Sequence, residues 1–381
     1  MDYILSNNDM YNIMKSRDSS YDGKFFICKK TNETYCLASC ESVQSPTIEE
    51  IIFTQTFIEA EANGYKPCKL CHPNVHEVKW KDRVDVLDIE VPNEFDFIEC
   101  LVILNRSDEE CLHKVVQNEL YKLLKFNKKF VLFKISFQNH LTVTFLNGIP
   151  TQWMRAQIAR YIWDMFDLGT DITPFYSSFK SDHIMGKLTE KFYGLRLIKI
   201  NNLFEALCWS ILGQQINLRF AYTLKKRFVH QFAENFTYKD TQYWVFPTAD
   251  QIADVKVEEL KEMQISTRKA EYIVGVAKLI SNGILDQKKL RYEENYQRIV
   301  EQLTSIRGIG KWTADYTIMK CFSINSAFPI ADVGIHNALK TILKLNEKPS
   351  IKELEKLVKQ WEGWESYAAF YLWRSLYDEI D

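Results

Sequence analysis

Residues 304–316 read TSIRGIGKWTADY, and this pair of glycines around one isoleucine restricts the chain more than any other stretch. Glycine tolerates positive φ and lets another group approach the backbone closely. Gly308 and Gly310 therefore turn the chain sharply between two helical segments. They also leave amide N–H groups open where the second helix begins. Such an end carries free donors and partial positive charge, which makes it an anion site. Arg307 and Lys311 flank it, and a phosphate group suits it. A plain helix–turn–helix with a glycine cap fits these residues equally well when they are taken alone.

The residues that follow carry more. Trp312 and Tyr316 stand four apart and so share one helix face. Beyond them FPIADVGI (328–335) holds Asp332 alone among apolar residues. A carboxylate in such surroundings needs a partner or a purpose. Capping a helix that opens at about 333 would satisfy it and is compatible with a chemical role.

The nine cysteines are unevenly spread. Cys36 and Cys40 form one pair, and Cys68 and Cys71 form C-x2-C. Two such pairs are the ligand pattern of a tetrahedral zinc site, and a closed structural site is the commoner kind. Cys28, Cys100, Cys111, Cys208 and Cys321 stand singly and read as small buried apolar residues. An odd total argues against a disulfide framework.

At 381 residues, 46% of them hydrophobic, the chain has room for two or three cores. Lys plus Arg number 48 and Asp plus Glu 50, so any anion-binding surface must be local. Residues 1–75 carry 7 basic and 10 acidic side chains. No apolar run is long enough to span a bilayer and no basic-then-apolar leader opens the chain, so a cytoplasmic protein without membrane contact is expected. Proline and asparagine in CHPN (71–74) end a first segment, and VPNEFDF (91–97) opens a second. SDEE (107–110) reads as a capping box for a helix bearing Leu112, Val115, Val116, Leu120 and Leu123. Val131, Phe133, Ile135 and Phe137 alternate on a strand, LTVTF (141–145) alternates likewise, and a hairpin turns near Asn139. An amphipathic helix follows at about 150–168. From about 195 onward, segments at 202–215, 217–233, 256–263, 267–282, 292–306, 311–321, 332–343, 350–361 and 364–377 read as helices. The expected fold is multidomain and mainly α: a small four-cysteine zinc domain of α+β type (1–76), an α+β module (77–190) and an all-α domain (191–381).

IRGIGKWTADY followed by FPIADVGI resembles the hairpin and catalytic loop of the helix-hairpin-helix DNA glycosylases. ALCWSILGQQINLRFA (206–221) is similar to the helix and DNA-wedge turn of that family, and WEGWESYAAFYLW (361–373) to the closing helix of its alkylpurine (AlkA) branch. The resemblance covers roughly residues 95–381, and it implies that the middle module is TBP-like. It implies excision of alkylated purines of the 3-methyladenine and 7-methylguanine type from damaged double-stranded DNA by a monomer. On it, Asp332 stabilises the cationic sugar and Trp312, Tyr316 and Trp373 line the base pocket. Gln215 fills the vacated stack, while Arg307, Gly308, Gly310 and Lys311 meet the DNA backbone. The carbonyls of Thr304, Ile306 and Ile309 match those that hold a monovalent cation when DNA is bound. Strand-nicking members of the family carry a lysine where this chain has Trp312. Lys311 lies one place off, about 100° around the helix, so water is the expected nucleophile. Gly363 stands where a proline is usual and Glu365 where a basic residue is common.

RDSSYDGKFFICKKTNETYCLASC (17–40) with ANGYKPCKLCHPN (62–74) is similar to the N-terminal zinc domain of the Ada adaptive-response protein. That resemblance implies one Zn2+ on Cys36, Cys40, Cys68 and Cys71, with Cys36 accepting a methyl from a DNA methylphosphotriester. CLASCE here replaces the family's basic CRPSCR, and no helix-turn-helix domain follows. Three alternatives remain open to the residues: a zinc that only holds its domain together, a non-catalytic DNA-binding protein, and a glycosylase for another damaged base.

Overall fold

The computed structural model describes residues 5–378 apart from 45, 56, 72, 74–77, 292, 294 and 323. His72 and Asn74 of the CHPN break, and Tyr292 and Glu294 at the start of the expected helix 292–306, lie outside the described residues. The chain forms two compact units, one of residues 1–91, 133–164 and 168–170, the other of 92–132, 165–167 and 171–381. Among the described residues no helix is long and apolar enough to cross a membrane.

The first unit opens with the helix Asn7–Ser16, closed at its start by a reciprocal Ser6–Asp9 capping box. A four-stranded sheet follows in the order Ile51–Thr54, Phe26–Lys29, Thr34–Cys36, Lys66–Pro67. The last pair is parallel, with Tyr35 opposite Pro67. This register sets Cys36 and Cys68 at the ends of adjacent strands. Phe25 beside its strands and Phe26, Ile27 and Tyr35 within them are fully buried. The unit also holds an antiparallel run of Trp80–Asp82, Val86–Ile89, Leu141–Phe145 and the part of Lys129–Phe137 from residue 133 onward. Leu141 faces Phe137, as the expected hairpin near Asn139 requires. The expected helix at 150–168 is Gln152–Met165, and it buries Ile158 and Ile162.

In the second unit the helix expected from Ser107 to Leu123 does not form. His113–Val116 and Glu119–Phe126 are instead an antiparallel hairpin. Gln117 and Asn118, at φ 50 and 63, make the two-residue turn whose twist matches paired strands. The Glu110 carboxylate closes no capping box. It accepts from Cys111 N at 3.0 Å and Leu112 N at 2.8 Å, and it pairs with the buried Lys225 at 2.8 Å. Apolar spacing over 112–123 fits two short strands as well as a helix, and β-branched Val115 and Val116 favour strands. The other departure is a small hairpin, Asn235–Tyr238 with Thr241–Trp244, inside the part read as all helical. Lys239 and Asp240 turn it at φ 46 and 61.

The remaining segments agree with their sequence reading. Helices cover Leu203–Gly213, Leu218–Phe232, Val257–Glu262, Thr267–Ser281, Tyr296–Thr304, Lys311–Cys321, Val333–Ile342, Ile351–Val358 and Glu365–Arg374. Two of them, Lys311–Cys321 and Glu365–Arg374, are buried almost all round, from Thr313 and Ser366 onward. Such helices form the middle of a core rather than its surface. They bring Trp312, Tyr316 and Trp373 together. The five single cysteines are all buried.

Candidate active site and metal centre

Asp332 is the N-cap of the helix Val333–Ile342, and its Oδ1 accepts from Ile335 N at 3.1 Å. Two indoles also meet this carboxylate. Trp312 Nε1 donates to Oδ2 at 3.1 Å, and Trp373 Nε1 donates to Oδ1 at 2.8 Å. Three N–H donors on two oxygens suit an acceptor-only carboxylate and hold it in one orientation. The expected cap is present, and two indoles from other helices fix the same carboxylate. Gly334 keeps the neighbouring space open, since a Cβ there would stand 2.9 Å from Asp332 Oδ1 and 3.3 Å from Trp373 Cδ1. His336 braces the loop, its Nε2 at 2.9 Å from the Ile330 carbonyl and its Nδ1 at 2.8 Å from that of Pro349.

Tyr316 completes an aromatic wall. Its ring stacks on Trp312 at 5.7 Å between centroids and 30° between planes, and lies 5.7 Å from that of Trp373, tilted by 43°. Burial raises the Tyr316 hydroxyl's pKa above the ordinary phenol range, with Arg106, Tyr222 and Trp209 around it. Trp209 and Tyr222 are 4.7 Å apart. Trp209 lies within ALCWSILGQQINLRFA, whereas Tyr222 and Arg106 belong to no motif of the sequence. Nothing local marks an aromatic on a buried helix as a neighbour of a distant tyrosine.

The hairpin follows from its glycines. Gly308 sits at φ 94, and a Cβ there would overlap the Tyr272 ring at 2.2 Å. Gly310 caps the helix Lys311–Cys321 without a side-chain bond, and nothing lies within 4 Å of where its Cβ would be. Gly310 and Lys311, where that helix begins, are exposed. Thr304 and Gly310 are exposed, Ile309 is buried, and the Ile306 carbonyl accepts from Ile309 N at 3.0 Å. Arg307 and Lys311 both have carboxylate partners: Glu271 at 2.6 Å and the buried Asp315 at 3.1 Å. Tyr296 donates to Asp315 at 2.5 Å, which ties the two hairpin helices together. Gln215 is exposed at φ 56 in the turn between Leu203–Gly213 and Leu218–Phe232. Its neighbour Gln214 turns inward, and Nε2 donates to the Gly308 carbonyl at 3.0 Å and to Thr313 Oγ1 at 3.1 Å.

In the first unit the sulfur atoms of Cys36, Cys40, Cys68 and Cys71 lie within 4.8 Å of one another, all buried. Cys40 and Cys68 are 3.9 Å apart. A tetrahedral zinc with bonds of about 2.3 Å separates its sulfurs by about 3.8 Å, so the quartet fits the ion. The Ser42 hydroxyl lies 3.0 Å from Cys40 and 3.4 Å from both Cys36 and Cys68. Lys29 reaches Ser42 Oγ at 3.2 Å. Contacts among the four thiols push Cys36 and Cys71 up and draw Cys40 and Cys68 down. Four sulfurs this close need a cation before all can be thiolates. Cys36 is fully buried, and Cys68 is the least covered at 7%.

Comparison with known proteins matches three successive stretches of the chain. Residues 9–74 match the metal binding domain of Ada, 92–207 the N-terminal domain of 8-oxoguanine DNA glycosylase, and 208–363 the HhH-GPD superfamily of base excision DNA repair proteins. The Bacillus subtilis DNA-3-methyladenine glycosylase is 41% identical over 302 residues, covering 78% of this chain and 99% of that one. Among solved structures, the 3-methyladenine DNA-glycosylase of Archaeoglobus fulgidus superposes with a TM-score of 0.65 at 21% identity, over 76% of this chain and 97% of that one. The 8-oxoguanine glycosylase/lyase of Clostridium acetobutylicum, solved with DNA, gives 0.61 at 17% identity, over 78% and 96%. These two likenesses concern the fold. The chain belongs to the HhH-GPD superfamily of base excision DNA repair proteins, and within it to the DNA-3-methyladenine glycosylase family. An Ada-type zinc-binding domain precedes that part of it.

Proposed function

We propose that this chain is a monofunctional glycosylase that removes alkylated purines, of the 3-methyladenine and 7-methylguanine type, from double-stranded DNA. The observation that carries this reading is the convergence of Trp312 and Trp373 on the Asp332 carboxylate. Gln215 enters the duplex as the damaged nucleotide swings out, an extrusion that costs a few kcal/mol. A base methylated on a ring nitrogen is cationic, and the faces of Trp312, Tyr316 and Trp373 favour it by about 0.5–2 kcal/mol. As the glycosidic bond breaks, its electron pair leaves with the base and positive charge develops on the sugar. Asp332 stabilises that charge, and water adds to the anomeric carbon, loses a proton to solvent and leaves an abasic site. The indole at 312 offers no amine for a Schiff base, which supports water as the nucleophile.

The free amides after Gly310 receive a DNA phosphate, with Arg307 and Lys311 beside it. The carbonyls of Thr304, Ile306 and Ile309 hold a monovalent cation in that complex. A monomer acting in the cytoplasm, with domains at 1–76, 77–190 and 191–381, is part of the same proposal.

Zinc, when bound, keeps the four thiols of the first domain deprotonated. The Cys36 thiolate then attacks the methyl carbon of a methylphosphotriester. An S–C bond forms, the C–O bond breaks, and a phosphodiester anion leaves. A zinc that is structural alone is the second reading, and the full burial of Cys36 favours it.

The test is mass spectrometry of protein and supernatant after incubation with methylated duplex DNA. Free methylated purine should appear, and Asp332→Asn should slow its release by about 10²–10³-fold. Equal rates for the two proteins would refute the catalytic assignment. A methyl on Cys36 supports transfer, whereas base release with every cysteine unmodified leaves the zinc structural.

A further inference from the structure

Beside Tyr222 lies a half-buried cation, Arg106, that this chemistry does not use. Arg106 follows the helix Phe97–Leu104, and its Nε donates to the Tyr222 hydroxyl at 2.6 Å. The guanidinium carbon stands 5.6 Å from the Tyr222 ring centre. Tyr316 and Tyr377 are near enough for their hydroxyls to act on its charge. These neighbours come from three elements, among them the helix that carries Trp312 and the turn just after Trp373. Lys225, Lys199 and Arg374, buried cations of the same unit, each meet a carboxylate, at 2.8, 2.5 and 2.8 Å, and the buried Lys320 donates to the Ile198 carbonyl. Among the described residues no carboxylate pairs with Arg106. Its two terminal nitrogens donate to nothing there, and a guanidinium has donors only.

We propose that Arg106 reads the edge of the extruded base, favouring alkylated purines with a hydrogen-bond acceptor at position 6 over those with an amino group there. This rests on the glycosylase reading above. Guanine-type bases present O6 to an arginine, whereas adenine-type bases present an amino donor that meets a second donor. Both alkylated bases are cationic, so repulsion by Arg106 largely cancels in the comparison between them. Tyr222 orients the fork through Nε and leaves both outer nitrogens for the base.

The experiment follows 7-methylguanine and 3-methyladenine released from the same methylated duplex, as a ratio of kcat/KM values. In Arg106→Gln the amide both donates and accepts, the pattern that suits adenine. The ratio should shift toward 3-methyladenine by about tenfold or more, the discrimination of one good base-edge pair. Equal losses for both bases would mean that Arg106 holds a phosphate or merely supports the fold, and unchanged kcat/KM for both would mean that it does not face the base. Either outcome overturns the proposal. Should the glutamine variant fail to fold, Tyr222→Phe carries the test, since it removes only the hydroxyl that orients the fork. Its ratio must move in the same direction. Wild-type protein that released neither base would refute the glycosylase reading itself, a result distinct from both.

Discussion

Trp312 donates its indole N–H to Asp332 at 3.1 Å, from the position where strand-nicking members of the family carry a lysine. The indole supplies a rigid donor that fixes the carboxylate, and on the proposed reading it offers no amine to attack the sugar. Trp373 donates to the other oxygen at 2.8 Å, so Asp332 is held from two helices as well as by the amide of its own.

Gly334→Ala tests how finely that position is set. The new methyl would stand 2.9 Å from Asp332 Oδ1, so the carboxylate must move. Alanine improves helix propensity over glycine by about 1 kcal/mol, so the protein should not lose stability through its helix. Base release should nonetheless fall by about 10²-fold, the scale of a displacement near 1 Å. An unchanged melting temperature with that loss of rate is the expected pair of measurements. An unchanged rate would show that the carboxylate needs no such placement.

Gly308→Ala should be destabilising. Its φ of 94 strains any other residue, and the methyl overlaps the Tyr272 ring. The loss in chemical unfolding should exceed about 1 kcal/mol, and DNA binding should weaken with it. Adding Tyr272→Ala frees the space but not the backbone angle. The double variant should therefore recover only part of the loss.

Glu271→Gln should tighten DNA binding. Arg307 is largely exposed and pairs with Glu271 at 2.6 Å, a surface bridge contributing about 0–1 kcal/mol to stability. Releasing it leaves a cation beside the hairpin amides. Affinity at low salt should rise, and the slope of log K against log salt should steepen by about one phosphate contact. An unaltered slope would mean that Arg307 makes no such contact.

His113 should shape the acid side of the stability curve. Burial lowers its pKa from 6.5 to about 4, and its Nε2 meets the Leu104 carbonyl at 2.9 Å. Between those pH values the unfolded chain binds a proton that the folded one does not. Stability therefore falls as pH drops from about 6.5 toward 4. In Glu110 burial pushes the pKa up, but Lys225 and His113 outweigh it and bring it to about 2, so its own loss begins lower, below 4.5. His113→Gln should flatten denaturation midpoints between pH 6.5 and 4.5. A variant that kept the wild-type slope there would exclude His113 as its source.

Much of the fold was legible because it is written locally. Gly308 and Gly310 announce a tight turn through backbone freedom alone, and Asp332 announces a cap. Two cysteine pairs announce a metal site through spacing, and the long amphipathic segments announce helices. The misreading of 107–123 shows where such signals stop. Five apolar residues there fit either period, and only the strand pairing and the pull of Lys225 on Glu110 decide between them.

The amino-acid sequence by itself determined the hairpin, the capping aspartate, the spacing of the cysteine quartet and most helices of residues 195–381, since each depends on residues close to one another in the chain. Only the tertiary structure decided that Trp312 and Trp373 meet on Asp332, that Glu271 and Asp315 neutralise Arg307 and Lys311, and that Arg106 pairs with a phenol and, among the described residues, with no carboxylate. Those relations join residues far apart in the chain. Core packing has to offset the entropy of closing such loops, and no local pattern records which distant side chains it selects.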